Sequence, residues 1–121
     1  MTILSKILIG FVVFIHLYIV WLEMFVWTTR AKKVFRSVPA DMFEKTKQMA
    51  GNQGLYNGFL AAGLLWSFLI QDTYWSINVA AFFLCCVAIA GIYGAVTVQK
   101  TIFYVQSVPA LMALASFYFM K

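Results

Sequence analysis

Apolar residues along this chain fall into four long runs separated by short polar breaks. The runs are Ile7–Thr29, Gly54–Gln71, Trp75–Val98 and Thr101–Met120. Each is about the length of a helix that spans a bilayer. One polar stretch interrupts them at length, from Arg30 to Val38, and is read as the one real loop. Pro39 then suits the first turn of a helix, with Asp41 and Glu44 placed to complement its positive end. The pattern therefore predicts a single helix over Ala40–Gln71, embedded from about Gly51 onward. The two remaining breaks are short and force antiparallel neighbours. Pro109 lies inside the last run, where it should bend the helix or free a carbonyl.

The expected fold class is all-α: an integral membrane four-helix antiparallel bundle forming a single domain over residues 1–121, with spans near 7–29, 51–71, 75–98 and 101–120. Composition agrees. Hydrophobic residues make up 64% of the chain and charged ones 11%, and mean hydropathy is +0.87. Soluble domains run nearer ~50% apolar and ~25% charged. The first run is too long for a removable signal peptide, contains His16 and Glu23, and is followed by no small-x-small cleavage site.

The net charge of +5 does not point to nucleic acid, because six of the nine basic residues share one loop region: Arg30, Lys32, Lys33, Arg36, Lys45 and Lys47. That clustering is the positive-inside signature and makes the loop cytoplasmic. Lys100 falls on the same side, and the Gln71–Tyr74 turn, which carries Asp72 and no base, on the other. Both termini then face outward, against the single charges of Lys6 and Lys121. The location implied is the cell membrane, multi-pass, with the bilayer as partner and anionic headgroups at the basic loop.

One residue breaks the apolar pattern sharply. Glu23 has no basic residue within six positions. An ionised acid in hydrocarbon costs roughly 3 kcal/mol even on mild insertion scales. Glu23 must meet polar partners in a bundle or carry a proton. Counted inward from the cytoplasmic ends of their runs, Glu23, Asn57, Tyr93 and Gln106 lie five or six residues deep, about 9 Å at most. Trp27 and Gln53 form a shallower layer. A shared intramembrane polar site explains this better than four coincidences. Helix-to-helix hydrogen bonds that only hold the bundle are the competing account, each worth about 0.6 kcal/mol.

In the second helix, at about 100° per residue, Asn52, Tyr56, Gln53 and Asn57 share one sector. Ala61, Gly54, Gly58 and Ala62 fill the next. The Gly54-x-x-x-Gly58-x-x-x-Ala62 stripe is the pattern that lets membrane helices approach closely, and Ala90, Gly91, Gly94 and Ala95 suit the same role on the third helix. His16 shares a face with Glu23 but lies about 10 Å along the axis, too far to hold one metal with it. Its expected role is a bond to a neighbouring helix, with a place in the site as the alternative. Cys85 and Cys86 are adjacent, cannot easily bridge each other, and are expected to be small buried hydrophobes. No metal-type spacing and no cofactor motif is present.

The stretches His16-Leu-Tyr-Ile-Val-Trp-Leu-Glu23, Lys33-Val-Phe35, Asn52-Gln-Gly-Leu-Tyr-Asn-Gly-Phe-Leu-Ala-Ala-Gly-Leu64, Gly91-Ile-Tyr93-Gly94-Ala95 and Val105-Gln106-x-x-Pro109-Ala110 resemble a bacterial family of uncharacterised proteins, domain of unknown function 1304. The resemblance covers essentially the whole chain and implies a small four-helix membrane protein without implying an activity. A weaker similarity links Glu44, Lys45, Lys47 and Asn52 to membrane enzymes of eicosanoid and glutathione metabolism. Those also have four helices, and a trimer or other homo-oligomer of similar shape is compatible. Leu55 stands where that family carries an acid, and lysines or Gln48 where it has arginines.

The function expected is binding of a lipophilic or amphipathic small molecule near the cytoplasmic leaflet. Asn52, Gln53 and Asn57 would bond its head, with Trp27, Tyr93, Gln106 and His16 nearby. Glu23 is the candidate catalytic acid or base if the protein is an enzyme. The alternatives are a structural or accessory subunit without chemistry, a proton-coupled small-molecule exporter, and a glutathione-dependent enzyme.

Overall fold

The computed structural model describes residues 1–119. Met120, where the fourth run was expected to end, and Lys121 lie outside the described residues. Six helices follow in order: α1 (Ile3–Met24), α2 (Ala31–Val34), α3 (Met42–Lys45), α4 (Lys47–Leu69), α5 (Thr73–Thr97) and α6 (Val108–Phe119). A π-helical segment, Phe103–Ser107, leads into α6. No strand occurs among the described residues.

Local chemistry sets two of the starts. Thr2 accepts a hydrogen bond from the Ser5 amide at 3.1 Å and opens α1. The Asp72 carboxylate accepts from the Trp75 amide at 3.0 Å and opens α5. Side-chain acceptors of this kind satisfy amides that the first helical turn leaves unpaired.

The inward faces follow a four-three spacing. On α1 the buried residues Ser5, Ile9, Val12, His16, Ile19 and Glu23 form one seam, and on α4 Ala50, Gly54, Asn57, Ala61 and Leu64 form another. That repeat keeps one stripe of a helix against its neighbour, as in coiled coils. α1 packs on α4, α4 on α5, α5 on the π segment and α6, and α6 back on α1. Ile9, Val12, Leu64, Leu84, Val87, Ala110 and Ala113 fill the common core.

Each of these four interfaces carries an interhelical hydrogen bond that involves a polar side chain. Ser5 and Ser116 hydroxyls meet at 2.7 Å between α1 and α6. Asn57 donates to Glu23 between α4 and α1 at 2.6 Å. Ser76 on α5 donates to the Ser67 carbonyl on α4 at 2.7 Å. Ser107 donates to the Ala88 carbonyl on α5 at 2.8 Å. The serines, unremarkable in the sequence, hold three of the four seams.

Several expectations are corrected. The first helix stops at Met24, not Thr29. Its apolar pattern continues because Val26 and Trp27 belong to a second small core with Leu22, Ala31, Val34, Phe35, Val38 and Phe43. The basic loop is therefore not loose: it contains α2 and folds over its own cluster. The single helix expected over Ala40–Gln71 is broken at Thr46, which lies outside helical geometry with φ −109° and ψ 10°. The Thr46 hydroxyl donates to the Met42 carbonyl at 2.8 Å and accepts from the Trp27 indole at 3.1 Å. Residues remote in sequence thus fix the break.

The small-residue stripe also differs. Gly54 meets α1, but Gly58 is only half-buried and Ala62 is exposed; Asn57 and Ala61 take the inner face instead. Gly91 does serve a close approach, since a Cβ there would lie 2.8 Å from the Ser107 amide nitrogen. Cys85 is exposed and Cys86 half-buried, both free, so the reading of both as buried hydrophobes is wrong. Of the four expected spans, α1 and α5 are long and apolar enough to cross a membrane. Asn52, Gln53 and Asn57 dilute α4, and residues 103–119 are shorter.

Pro109 explains the π segment. A proline ring clashes with the carbonyl four residues back and brings no amide. Here the Val108 amide bonds the Phe103 carbonyl, a five-residue reach that widens the turn before Pro109. Such single widened turns frequently occur at functional sites. The shift turns two consecutive polar residues, Gln106 and Ser107, inward together.

Candidate functional site

Between the loop-side ends of α1, α4, α5 and the π segment lies a cavity of about 570 Å³. Its walls are mostly apolar, from Ile19, Leu22, Ala50, Ala90 and Ile102, and the Val34–Val38 stretch closes it from above. Gln99 fastens that cover, donating to the Val34 carbonyl at 3.2 Å and accepting from the Ser37 amide at 3.4 Å. Size and lining fall in the range of small-molecule pockets.

Glu23 sits in the last turn of α1 rather than six residues inside a longer helix. It is buried, with 8% of its surface exposed. Gly54 opposite makes this position possible: a Cβ there would fall 3.1 Å from the Glu23 Cβ and 2.6 Å from Met24 Cγ. The Asn57 amide donates to Glu23 Oε1 at 2.6 Å. The second oxygen, Oε2, makes no bond to another residue among the described ones and is not sealed from solvent, and Glu23 lines the cavity. The carboxylate is thus oriented by one amide and presented by its other oxygen.

Gln106 is buried and lines the cavity, and its amide bonds no other side chain among the described residues. Gln53 and Tyr93 line the cavity from exposed positions, Tyr93 with 71% of its surface accessible. Trp27 forms part of the roof. Its ring packs on Phe43 at 4.8 Å and Phe35 at 5.4 Å between centroids. With its indole tied to Thr46, the ring has little freedom.

The structure therefore brings together Glu23, Asn57, Gln53, Gln106, Tyr93 and Trp27. It does not bring in Asn52 or His16. Asn52 is exposed, about 100° around α4 from Gln53. His16 is fully buried lower in the bundle, where Nδ1 donates to the Val12 carbonyl of its own helix at 2.8 Å. The expected bond from His16 to a neighbouring helix is absent among the described residues, and Nε2 has no partner.

Sequence reasoning missed Tyr18, Thr46, Gln99 and the Val34–Val38 cover. The apolar alternation of Val34, Phe35 and Val38 inside a basic stretch was the one signal available for the cover. No three potential metal ligands cluster among the described residues.

Comparison with known proteins agrees with the sequence resemblance. An uncharacterised protein of Lactococcus lactis, YpaA, is 29% identical over 121 residues, covering 98% of this chain and all of that protein. No solved structure matches. The model of a family described as a protein of unknown function, DUF1304, matches residues 10–118, and the chain belongs to that family.

Proposed function

We propose that the protein is a multi-pass membrane protein, a four-helix antiparallel bundle of α1, α4, α5 and α6, whose cavity binds a lipophilic or amphipathic small molecule near the cytoplasmic leaflet. The observation that carries this reading is the cavity itself: a half-occupied carboxylate, oriented by Asn57, set in apolar walls.

The outer surface supports the membrane part. Only 33% of the apolar stretch of α1 and 28% of that of α5 are buried. A soluble core helix would be largely covered. Here Phe14, Phe25, Phe82, Ile89, Val96 and Leu69 stand exposed around the outside. Contiguous apolar surface on this scale needs a lipid or protein covering.

Insertion and orientation are open to a labelling test. In a background with Cys85 and Cys86 replaced by alanine, Ser37→Cys should react with an impermeant maleimide only from the cytoplasmic side. Asp72→Cys should react only from the outside. The reverse pattern would invert the topology, and reaction of both from one side would remove the bundle.

Ligand binding is tested by filling the cavity. Ala90 lines it from an exposed position, so Ala90→Trp adds bulk with little cost to the core. Native mass spectrometry should find a co-purifying small molecule on the wild type and at least about a tenfold lower occupancy on the variant, a loss of ~1.4 kcal/mol. Equal occupancy, or none on either with no uptake of an added hydrophobic fluorophore, would refute the reading.

The glutathione alternative fits the cavity poorly. A tripeptide with two carboxylates needs cationic partners, and no Lys or Arg is among the lining residues.

A further inference from the structure

We infer that the ligand of this cavity is a cationic amphiphile: an ammonium head carried on an apolar tail. This deepens the binding reading above and rests on it.

The charge of the lining is one-sided. Among the lining residues Glu23 is the sole carboxylate and there is no lysine, arginine or histidine. Seven basic residues lie close in sequence to the cavity walls, namely Arg30, Lys32, Lys33, Arg36, Lys45, Lys47 and Lys100. All seven are exposed. The chain supplies the buried carboxylate with an amide donor at Oε1 and no counter-charge at Oε2. A buried charge is retained at least cost when an opposite charge meets it. An ammonium group at Oε2 would complete that pair.

The remaining polar and aromatic groups fit the same head. Trp27, Tyr18, Tyr93 and Phe35 line the cavity. Aromatic rings attract ammonium groups through their electron-rich faces, most strongly when water is excluded. Gln53 and Gln106 offer carbonyl oxygens that can accept from an N–H head. Ile19, Leu22, Val105 and Ile102 line space for a tail. A fatty acid or a lipid phosphate would instead place its negative charge against Glu23 with no cation to receive it.

Access points the same way. Met49 on α4 and Tyr93 on α5 line the cavity while 72% and 71% of their surfaces are exposed, so the cavity is open to its surroundings at these residues. A cation arriving through water would meet the seven exposed bases first. One dissolved in the bilayer by its tail would bypass them. An apolar tail is therefore part of the inference.

Three probes that share a dodecyl tail separate the cases: dodecyltrimethylammonium, dodecyl sulfate and a neutral tetraethylene glycol monododecyl ether. Binding to the full chain in nanodiscs of neutral lipid is measured below micellar concentration, with empty nanodiscs subtracted. The ammonium probe should bind at least about tenfold tighter than the neutral one. Glu23→Gln, which keeps an acceptor for Asn57, should erase that preference. Glu23→Asp, which keeps the charge, should preserve most of it.

Circular dichroism of each variant establishes that the helices are intact. Equal binding of ammonium and neutral probes overturns the cationic inference and leaves the amphiphile site standing. Tighter binding of the sulfate, or a preference that survives Glu23→Gln in a folded protein, also overturns it. Absence of binding by all three overturns both this inference and the amphiphile site.

Discussion

Gly91→Leu is expected to be the most damaging single substitution in the chain, lowering stability by about 3 kcal/mol or more. A Cβ at Gly91 would collide with the Ser107 hydroxyl, lie 2.8 Å from the Ser107 amide nitrogen and reach 3.0 Å from Gln106 Cβ. Two of those atoms are fixed by the chain itself and cannot swing aside. α5 and the π segment would have to separate, breaking the Ser107 bond to the Ala88 carbonyl and turning Gln106 away from the cavity. Even Gly91→Ala should be clearly destabilising.

Two other glycines are internal references. Gly94→Ala should cost less, because the atom in its path is Ile102 Cγ2 at 2.8 Å, on a side chain that can rotate. Gly10→Ala should be close to neutral, since nothing lies within 4 Å of its added Cβ. Reversible unfolding in mixed micelles gives the ranking. Gly91→Ala as mild as Gly10→Ala would show that α5 and the π segment are not in contact at this level.

The second large effect is expected at the Glu23–Asn57 pair. Asn57→Leu removes the amide that serves Oε1 and leaves a buried carboxylate with no donor, at a cost of about 1–3 kcal/mol. Glu23→Gln keeps an oxygen in place and should cost under about 1 kcal/mol. With the carboxylate gone, Asn57→Leu should be much less harmful. The cycle should therefore show a coupling of about 0.6–1.7 kcal/mol, the range found between helices in membranes. Strict additivity, within about 0.3 kcal/mol, would mean that the two side chains do not meet. Because this pair orients the oxygen offered to the ligand, a variant that uncouples it should also lose the discrimination between ammonium and neutral probes.

The polar level of the bundle was legible because each of its members interrupts an apolar run, and depth can be counted from run ends at about 1.5 Å per residue. Glu23, Asn57 and Gln106 were found this way. The count at Glu23 rested on a run that continues to Thr29, whereas the helix ends at Met24. Hydrophobicity reports that Val26 and Trp27 are covered. It does not report whether a bilayer, a bundle or the folded-back chain covers them. The break at Thr46 was invisible for the same reason, since it depends on an indole nineteen residues earlier in the chain. His16 and Asn52 were placed near the site by shared face and sequence proximity. Side-chain direction moved both away.

Local composition alone decided that this chain is helical, that its helices are apolar on most sides, and that one acid would need an answer inside them. Run length, residue type and the cost of burying a charge among apolar groups are properties of short segments. Which groups answer that acid was decided only when the helices closed. Asn57 reaches Glu23 because Gly54 lets two backbones approach, Gln106 turns inward because Pro109 forces a wider turn, and the basic loop becomes a cover because its apolar residues find Trp27 and Phe43. The first is a contact between residues 34 apart in the chain, which no local pattern encodes; the other two are short-range, and the closed bundle decides only which way they face.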